Sequence, residues 1–125
     1  MHARLTTIEV PQDRIDDAPS VIQEQVLPQL QQMEGFKGFI ALRDRGSGMV
    51  RGVALWESEE VMRTTDEAAA RIRSGVEQAT GGTVASVENY EVVVFETPSE
   101  GPVSGVTDTV GGVTDNLLGG QEKQR

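Results

Sequence analysis

The stretch "EGFKGFIALRDRGSGMVRGVALWESEE", Glu34–Glu60, decides the fold. "FKGFIALRD" (Phe36–Asp44) and "MVRGVALWE" (Met49–Glu57) are strand-like apolar runs, and "RGSG" (Arg45–Gly48) between them is turn chemistry. Two such runs joined by a short glycine turn predict an antiparallel hairpin. The turn leaves the register open by one residue, so either Phe39 or Ile40 lies across from Ala54. Trp56, the single tryptophan of the chain, sits near the end of the second run. By the period of two it shares a face with Gly52 and Ala54, both small.

The flanking segments complete a pattern. "ARLTTIEV" (Ala3–Val10), closed by Pro11, reads as a first strand. Asp17 or Ala18 is a candidate cap for a helix with Pro19 in its first turn, and Ile22, Val26, Leu30 and Met33 form one face of it. Pro28 removes a backbone donor inside that helix and predicts a kink; Gly35 ends it. A second helix starts at Ser58, a candidate N-cap, with Glu59 and Glu60 against the positive end of the dipole. Its buried stripe is expected at Val61, Thr65, Ala68, Ile72, Val76 and Ala79, with a weak point at Thr64–Asp66 and a stop at Gly81-Gly82. "TVASVENYEVVVFE" (Thr83–Glu96) reads as a last strand whose "VVVF" (Val92–Phe95) is apolar on both faces.

The order β-α-β-β-α-β predicts an α+β, ferredoxin-like domain: a four-stranded antiparallel sheet with two helices on one face. A last strand apolar on both faces needs a second cover. A second copy of the domain is the simplest one, which predicts a homodimer with sheets face to face, a dimeric α/β barrel. The domain is expected over residues 1–97. Residues 98–125 read as a Gly/Thr-rich flexible tail with a tandem repeat, "GVTDTVG" (Gly105–Gly111) then "GVTDNLL" (Gly112–Leu118). A heptad-like stripe at Val103, Val106, Val110, Val113 and Leu117 makes a protein partner for the tail an alternative to plain disorder.

Composition removes several function classes. The net charge is −9, with 20 acids against 11 bases and no basic cluster, so neither nucleic acid nor an anionic membrane surface is an expected partner. There is no cysteine, and the one histidine is His2, so thiolate or multi-histidine metal sites, thiol nucleophiles and a central Ser-His-Asp triad all lack their key residue. No metal or cofactor is expected. No run approaches membrane-spanning length and no apolar leader is apparent, so the expected location is the cytoplasm.

The opening stretch resembles the antibiotic biosynthesis monooxygenase family of dimeric α/β-barrel proteins. There, an M-x-G-F segment ends the first helix, a glycine-containing hairpin follows, and W-x-S opens the second helix. The matching residues are Met33, Gly35 and Phe36, then Gly46 to Gly48, then Trp56 and Ser58. The family's common proline before the glycine is Glu34 here, and the resemblance covers about residues 3 to 96. It implies a cofactor-independent monooxygenase acting on an aromatic, polyketide- or quinol-like molecule, whose anion reacts with oxygen while the protein orients it and excludes water. Trp56 matches the family's pocket tryptophan. The haem-degrading branch uses an Asn on the first strand and a His on the second helix. The first strand here offers Thr6, Thr7 and Glu9, and the second helix has no His.

The candidate ligand pocket is therefore Trp56 with Gly52, Ala54 and Phe39, and with Tyr90 and Thr7 as hydrogen-bond partners. No catalytic residue is assigned. Trp56 has two readings: a wall that stacks on a flat ligand, or a core residue whose small neighbours make space for it. Thr6 and Thr7 alternate in facing, so one of them points to the helices. Arg43, Asp44, Arg45 and Arg51 read as a solvated, salt-bridged hairpin end. Two other functions stay open: a non-catalytic small-molecule-binding or stress-associated protein, and an interaction module or cargo docking through the tail.

Overall fold

The computed structural model describes residues 1–98. Met1–Val93 form one compact unit and a second begins at Val94. The repeat and the partner-docking reading of the tail lie, from residue 99 on, outside the described residues.

The first unit is a four-stranded antiparallel sheet in the order β2-β3-β1-β4, with its helices on one face, as the sequence pattern predicts. The strands are β1 (His2–Glu9), β2 (Phe36–Asp44), β3 (Met49–Trp56) and β4 (Thr83–Glu91). The hairpin register places Phe39, and not Ile40, opposite Ala54. Gly48 closes the hairpin at φ +78, and its carbonyl accepts the Val10 N–H at 2.8 Å. A Cβ at Gly48 would stand 2.7 Å from the Val10 carbonyl oxygen, so only glycine lets the turn dock on the end of β1.

The last strand stops earlier than its composition suggests. β4 pairs with β1 alone; that ladder ends at the His2–Glu91 pair, and the Val92 N–H reaches the Met1 carbonyl at 2.9 Å. Val92–Phe95 is therefore not strand. An apolar, β-branched run stays extended in a sheet only while a neighbouring strand offers backbone partners.

The first helix is less regular than a proline kink. A 3-10 turn (Gln12–Asp17) leads into α1 (Ala18–Val21), a π turn (Ile22–Val26) and α2 (Leu27–Gln31). Asp17 makes no side-chain cap. Pro28 has no N–H for the Glu24 carbonyl, and the chain answers with a wide turn just before it, closed by the Leu27 N–H on the Ile22 carbonyl. Val26 and Leu30 are buried.

The second helix breaks where expected. α3 (Glu59–Thr64) is capped by the Ser58 hydroxyl, which accepts the Val61 N–H at 3.1 Å. Thr65 leaves helical geometry and α4 (Asp66–Thr80) restarts at Asp66. The break shifts the phase of the buried stripe. It runs through Met62, Thr65, Ala69, Ile72, Val76 and Thr80, so Val61, Ala68 and Ala79 are only half-buried.

Arg4 holds the break to the sheet. It projects from β1 under the helices and is 6 % exposed. Its guanidinium donates to the Thr65 hydroxyl at 3.0 Å and the Met62 carbonyl at 3.2 Å, and pairs with Asp66. Burial pushes the Arg4 pKa down from its ordinary value; the charge and hydrogen bond of Asp66 oppose this, and the nearby Arg73 charge adds to it.

Candidate functional site

The helix-facing side of β3 carries Val50, Gly52, Ala54 and Trp56, and the register sets their neighbours. Ala54 lies between Arg4 and Phe39 in the sheet, and the Phe39 ring leans over Gly52. Trp56 lies between His2 and Phe36; the two ring centroids are 5.6 Å apart, edge to face at 67°. Trp56 is fully buried, and its indole Nε1 has no hydrogen-bond partner among the described residues. It belongs to the hydrophobic core and does not line the cavity described below.

Space opens one row further along. Thr6, Gly52 and Ala41 are direct cross-strand neighbours, and all three are small. Thr6 and Gly52 make a low floor. Over it lies a cavity of about 80 Å³, bounded by Ile22 and Val26 from the π turn and by Ile72, Arg73 and Val76 from α4; Ala41 is exposed and borders the adjoining groove instead. The Phe39 ring forms one wall, and a Cβ on Gly52 would come within 3.0 Å of its Cζ. Ile8 and Val50 close the other side. A groove of about 480 Å³ adjoins the cavity through Ala18, Ile22, Phe39 and Val50, and runs to the edge strand β2 at Leu42 and Arg43. The inner cavity alone is below the usual size of a ligand site, whereas the groove is within it.

Thr6, Arg73 and Thr80 are the polar residues along the cavity, whose lining is almost wholly apolar. The Thr80 hydroxyl is already used, donating to the Val76 carbonyl at 2.7 Å and accepting the Gly82 N–H at 3.1 Å. Among the described residues, no carboxylate, imidazole or phenol lines the cavity. Arg73 has no carboxylate within 4.0 Å and no side-chain hydrogen bond among the described residues.

The six residues expected to share a pocket are thus divided. Gly52 and Phe39 line the cavity. Ala54 and Trp56 are on the same face but buried in the core. Thr7 and Tyr90 are on the opposite face, since Thr7 pairs with Arg51 and Ser86, and Tyr90 pairs with Ala3. Of the two threonines it is Thr6 that faces the helices. Tyr90 is half exposed, and its hydrogen bond to Glu88 and that residue's charge raise the phenol pKa above its ordinary value. The hairpin-end charges are a salt-bridged rim: Arg43 and Arg45 both meet Asp16, at 3.9 and 2.7 Å. Arg43 also lines the groove.

Arg73 was legible in principle. It stands four residues after Ala69 on the buried side of α4, a cation on an otherwise apolar stripe.

No family model matches the chain. Among curated proteins it is similar to Uncharacterized protein Rv2557 of Mycobacterium tuberculosis, with 36% identity over 95 residues, 76% of this chain and 42% of that protein. Uncharacterized protein Rv2558 of the same organism is 33% identical over 95 residues, 76% of this chain and 40% of that protein. The chain thus spans about two fifths of the length of these curated relatives. Among solved structures, the heme-degrader MhuD of M. tuberculosis, with two hemes bound in its active site, superposes with a TM-score of 0.63 at 24% identity, over 78% of this chain and 100% of that one. A candidate antibiotic biosynthesis monooxygenase from Deinococcus radiodurans gives 0.60 at 13% identity, over 79% and 99%. SnoaB, a cofactor-independent oxygenase from Streptomyces nogalater (as a point variant), gives 0.59 at 14%, over 78% and 97%. The sheet order, the single helical layer and these superpositions agree: the chain has the fold of the antibiotic biosynthesis monooxygenases.

Proposed function

We propose that the domain binds a flat aromatic small molecule between its sheet and its helices, and acts on it as a cofactor-independent monooxygenase. The observation that carries this reading is the apolar cavity over the small residues Thr6 and Gly52, with a groove that leads out past Ala41. In such a reaction the bound arene supplies the electrons for dioxygen. One oxygen atom enters the ring, and the other leaves as water with hydrogens from the substrate. The protein binds, orients and keeps solvent out.

One observation favours a second reading, a small-molecule-binding or stress-associated protein without chemistry: the cavity offers no general base. Haem is a poor fit in either case. Its iron takes His, Cys, Met or Tyr, and none of these lines the cavity among the described residues.

Calorimetric titration with anthraquinols, quinones and flat phenols tests the site. One class is expected to bind saturably, and Gly52→Val and Ala18→Leu, which fill the cavity from opposite sides, are expected to abolish that binding while thermal melts remain cooperative. Oxygen uptake with a product one oxygen atom heavier then marks an enzyme. Binding without uptake marks the second reading, and no binding by any class ends both. An interaction role for the tail is separated by deleting residues 98–125, which should abolish association with a protein partner and spare the cavity.

We further propose a homodimer through the open face of the sheet. That face presents Ile40 and Leu42 on β2 and Tyr90 on β4, each about half exposed, beside Val53 and Leu5 in the middle strands. Light scattering on the eluted protein should give twice the chain mass. Ile40→Glu with Leu42→Glu should give the chain mass with helical content unchanged. A wild-type monomer at working concentrations rules the dimer out.

A further inference from the structure

We infer that the run "VVVF", residues 92–95, of one chain completes the groove of a second copy by adding as a fifth strand along the free edge of β2. The inference rests on the homodimer proposed above and goes beyond it by naming the segment that crosses between copies and the place it fills.

The run has no place in its own chain. Val93 is 83 % exposed and Val94 78 %, and Phe95 is more than half exposed. Three valines and a phenylalanine favour a strand, and as a strand they are apolar on both faces, so they need cover on both. The β4 ladder ends at Glu91, and beyond the bond from the Val92 N–H to the Met1 carbonyl no strand lies beside the backbone.

The free edge of β2 offers what the run lacks. β2 pairs with β3 on one side, and among the described residues no strand pairs with the other. A bulge at Lys37, between Phe36 and Gly38, blunts the first end of this edge, as sheets do where strand addition is unwanted. From Gly38 to Leu42 the register is regular and the side chains carry no charge, so that guard is absent. On the helix side of the edge, Pro19, Ile22 and Leu27 line the groove together with Phe39 and Ala41. On the other side lies the apolar open face with Ile40 and Leu42. A strand laid here turns alternate side chains into the groove and the others toward the open face. That is the double cover the run requires. Its own chain cannot place it there: Val92 is held at the β4 edge, and β1 and β3 stand between it and β2, about 14 Å at the usual strand spacing.

Charge agrees. Glu91 and Glu96 bracket the run, Lys37 and Arg43 bracket the free edge, and the two spans are nearly equal. An acid therefore meets a base at each end, whichever way the added strand runs. Asp16 is shared by Arg43 and Arg45, which leaves a second carboxylate a role at that end. With the run in place the groove gains an outer wall from the partner, and the site is complete only in the dimer.

The chain has no cysteine, so introduced thiols report the contact cleanly. Val93→Cys and Ala41→Cys are made in separate full-length chains, refolded together from urea and treated with a short bis-maleimide; both positions are exposed in the single chain, so neither change disturbs its core. The mixture is expected to give a covalent species of twice the chain mass, about tenfold above a mixture of Val93→Cys with Glu67→Cys, since groups held together react at their effective concentration. Glu67 is an exposed position on α4. Amide exchange gives a second reading. A strand paired on one side shelters alternate amides, and one paired on both sides shelters them all. Every amide from Gly38 to Leu42 should be slow in wild type. Val93→Asp with Val94→Asp should speed the outward-facing ones about tenfold, the scale of one hydrogen bond, and leave α4 unchanged. Cross-linking no higher than the Glu67 control, in a protein that light scattering shows at twice the chain mass, overturns the fifth strand and leaves the dimer standing. Alternating protection along β2 that the double variant does not alter overturns it as well. A wild-type protein at the chain mass overturns both.

Discussion

Trp56→Ala is expected to lower the stability of the domain by about 3–5 kcal/mol, the range for deleting a large aromatic side chain from a core. Small domains hold only about 5–15 kcal/mol in total, so the variant will be close to unfolding at modest temperature. The indole is fully buried in the core, with the Phe36 ring edge-on to it and His2 opposite it in the sheet. Trp56→Phe should cost far less, about 1 kcal/mol or under. Phenylalanine keeps most of the ring volume and removes an indole N–H that has no partner, and an unpartnered buried donor is itself a burden of about 1–3 kcal/mol. Urea denaturation of the three proteins reads both effects. A Trp56→Ala protein with an unchanged midpoint but lost ligand binding would return Trp56 to the ligand site.

Arg4→Ala should be the other costly change, at about 2–3 kcal/mol, the scale of hydrogen bonds from a charged donor together with lost packing of its stem. The partition is the informative part. Asp66 is 66 % exposed, so its pairing with Arg4 is screened and Asp66→Asn should cost under about 1 kcal/mol. Thr65 keeps a bond to the Met62 carbonyl at 2.6 Å without Arg4, so the helix break does not lose its last polar contact. Arg4→Met, which restores the stem and drops the charge, should therefore recover about half of the loss. If Asp66→Asn proves as damaging as Arg4→Ala, the ion pair rather than the buried bonds and packing holds the junction.

The backbone was easier to read in the sequence than the site, for reasons visible in single residues. β2 and the hairpin turn announced themselves through Phe36–Asp44 and the glycines at 46 and 48. Ser58 and the interruption before Asp66 were readable because capping and helix restarts are local chemistry. Side-chain destinations were harder. Gly52, Ala54 and Trp56 do share a face, yet whether space near them is empty depends on the next strands. Arg4 lies buried beside Ala54, while the cavity lies over Thr6 and Gly52 with the Phe39 ring as a wall. No local pattern in β3 contains that information. The early end of β4 has the same origin, since it depends on where β1 stops offering partners. Tyr90 and Thr7 could join Trp56 only on one face of the sheet, and the pairing of three separate segments puts them on the other.

The first helix has a further consequence in the time domain. Its roof segment changes hydrogen-bond ladder twice, from 3-10 through α to π, before α2 begins. Bonds in such turns are less well aligned than in a continuous α-helix, and each junction interrupts cooperativity. Amide exchange should therefore be fast from Gln12 to Val26 and slow along α4, which runs unbroken for 15 residues. Ile22 and Val26 belong to the fast side and Ile72 and Val76 to the slow side. One half of the roof would breathe while the other stays fixed. A molecule could then reach the floor with no dedicated loop to admit it, at a rate set by local opening of one helical turn.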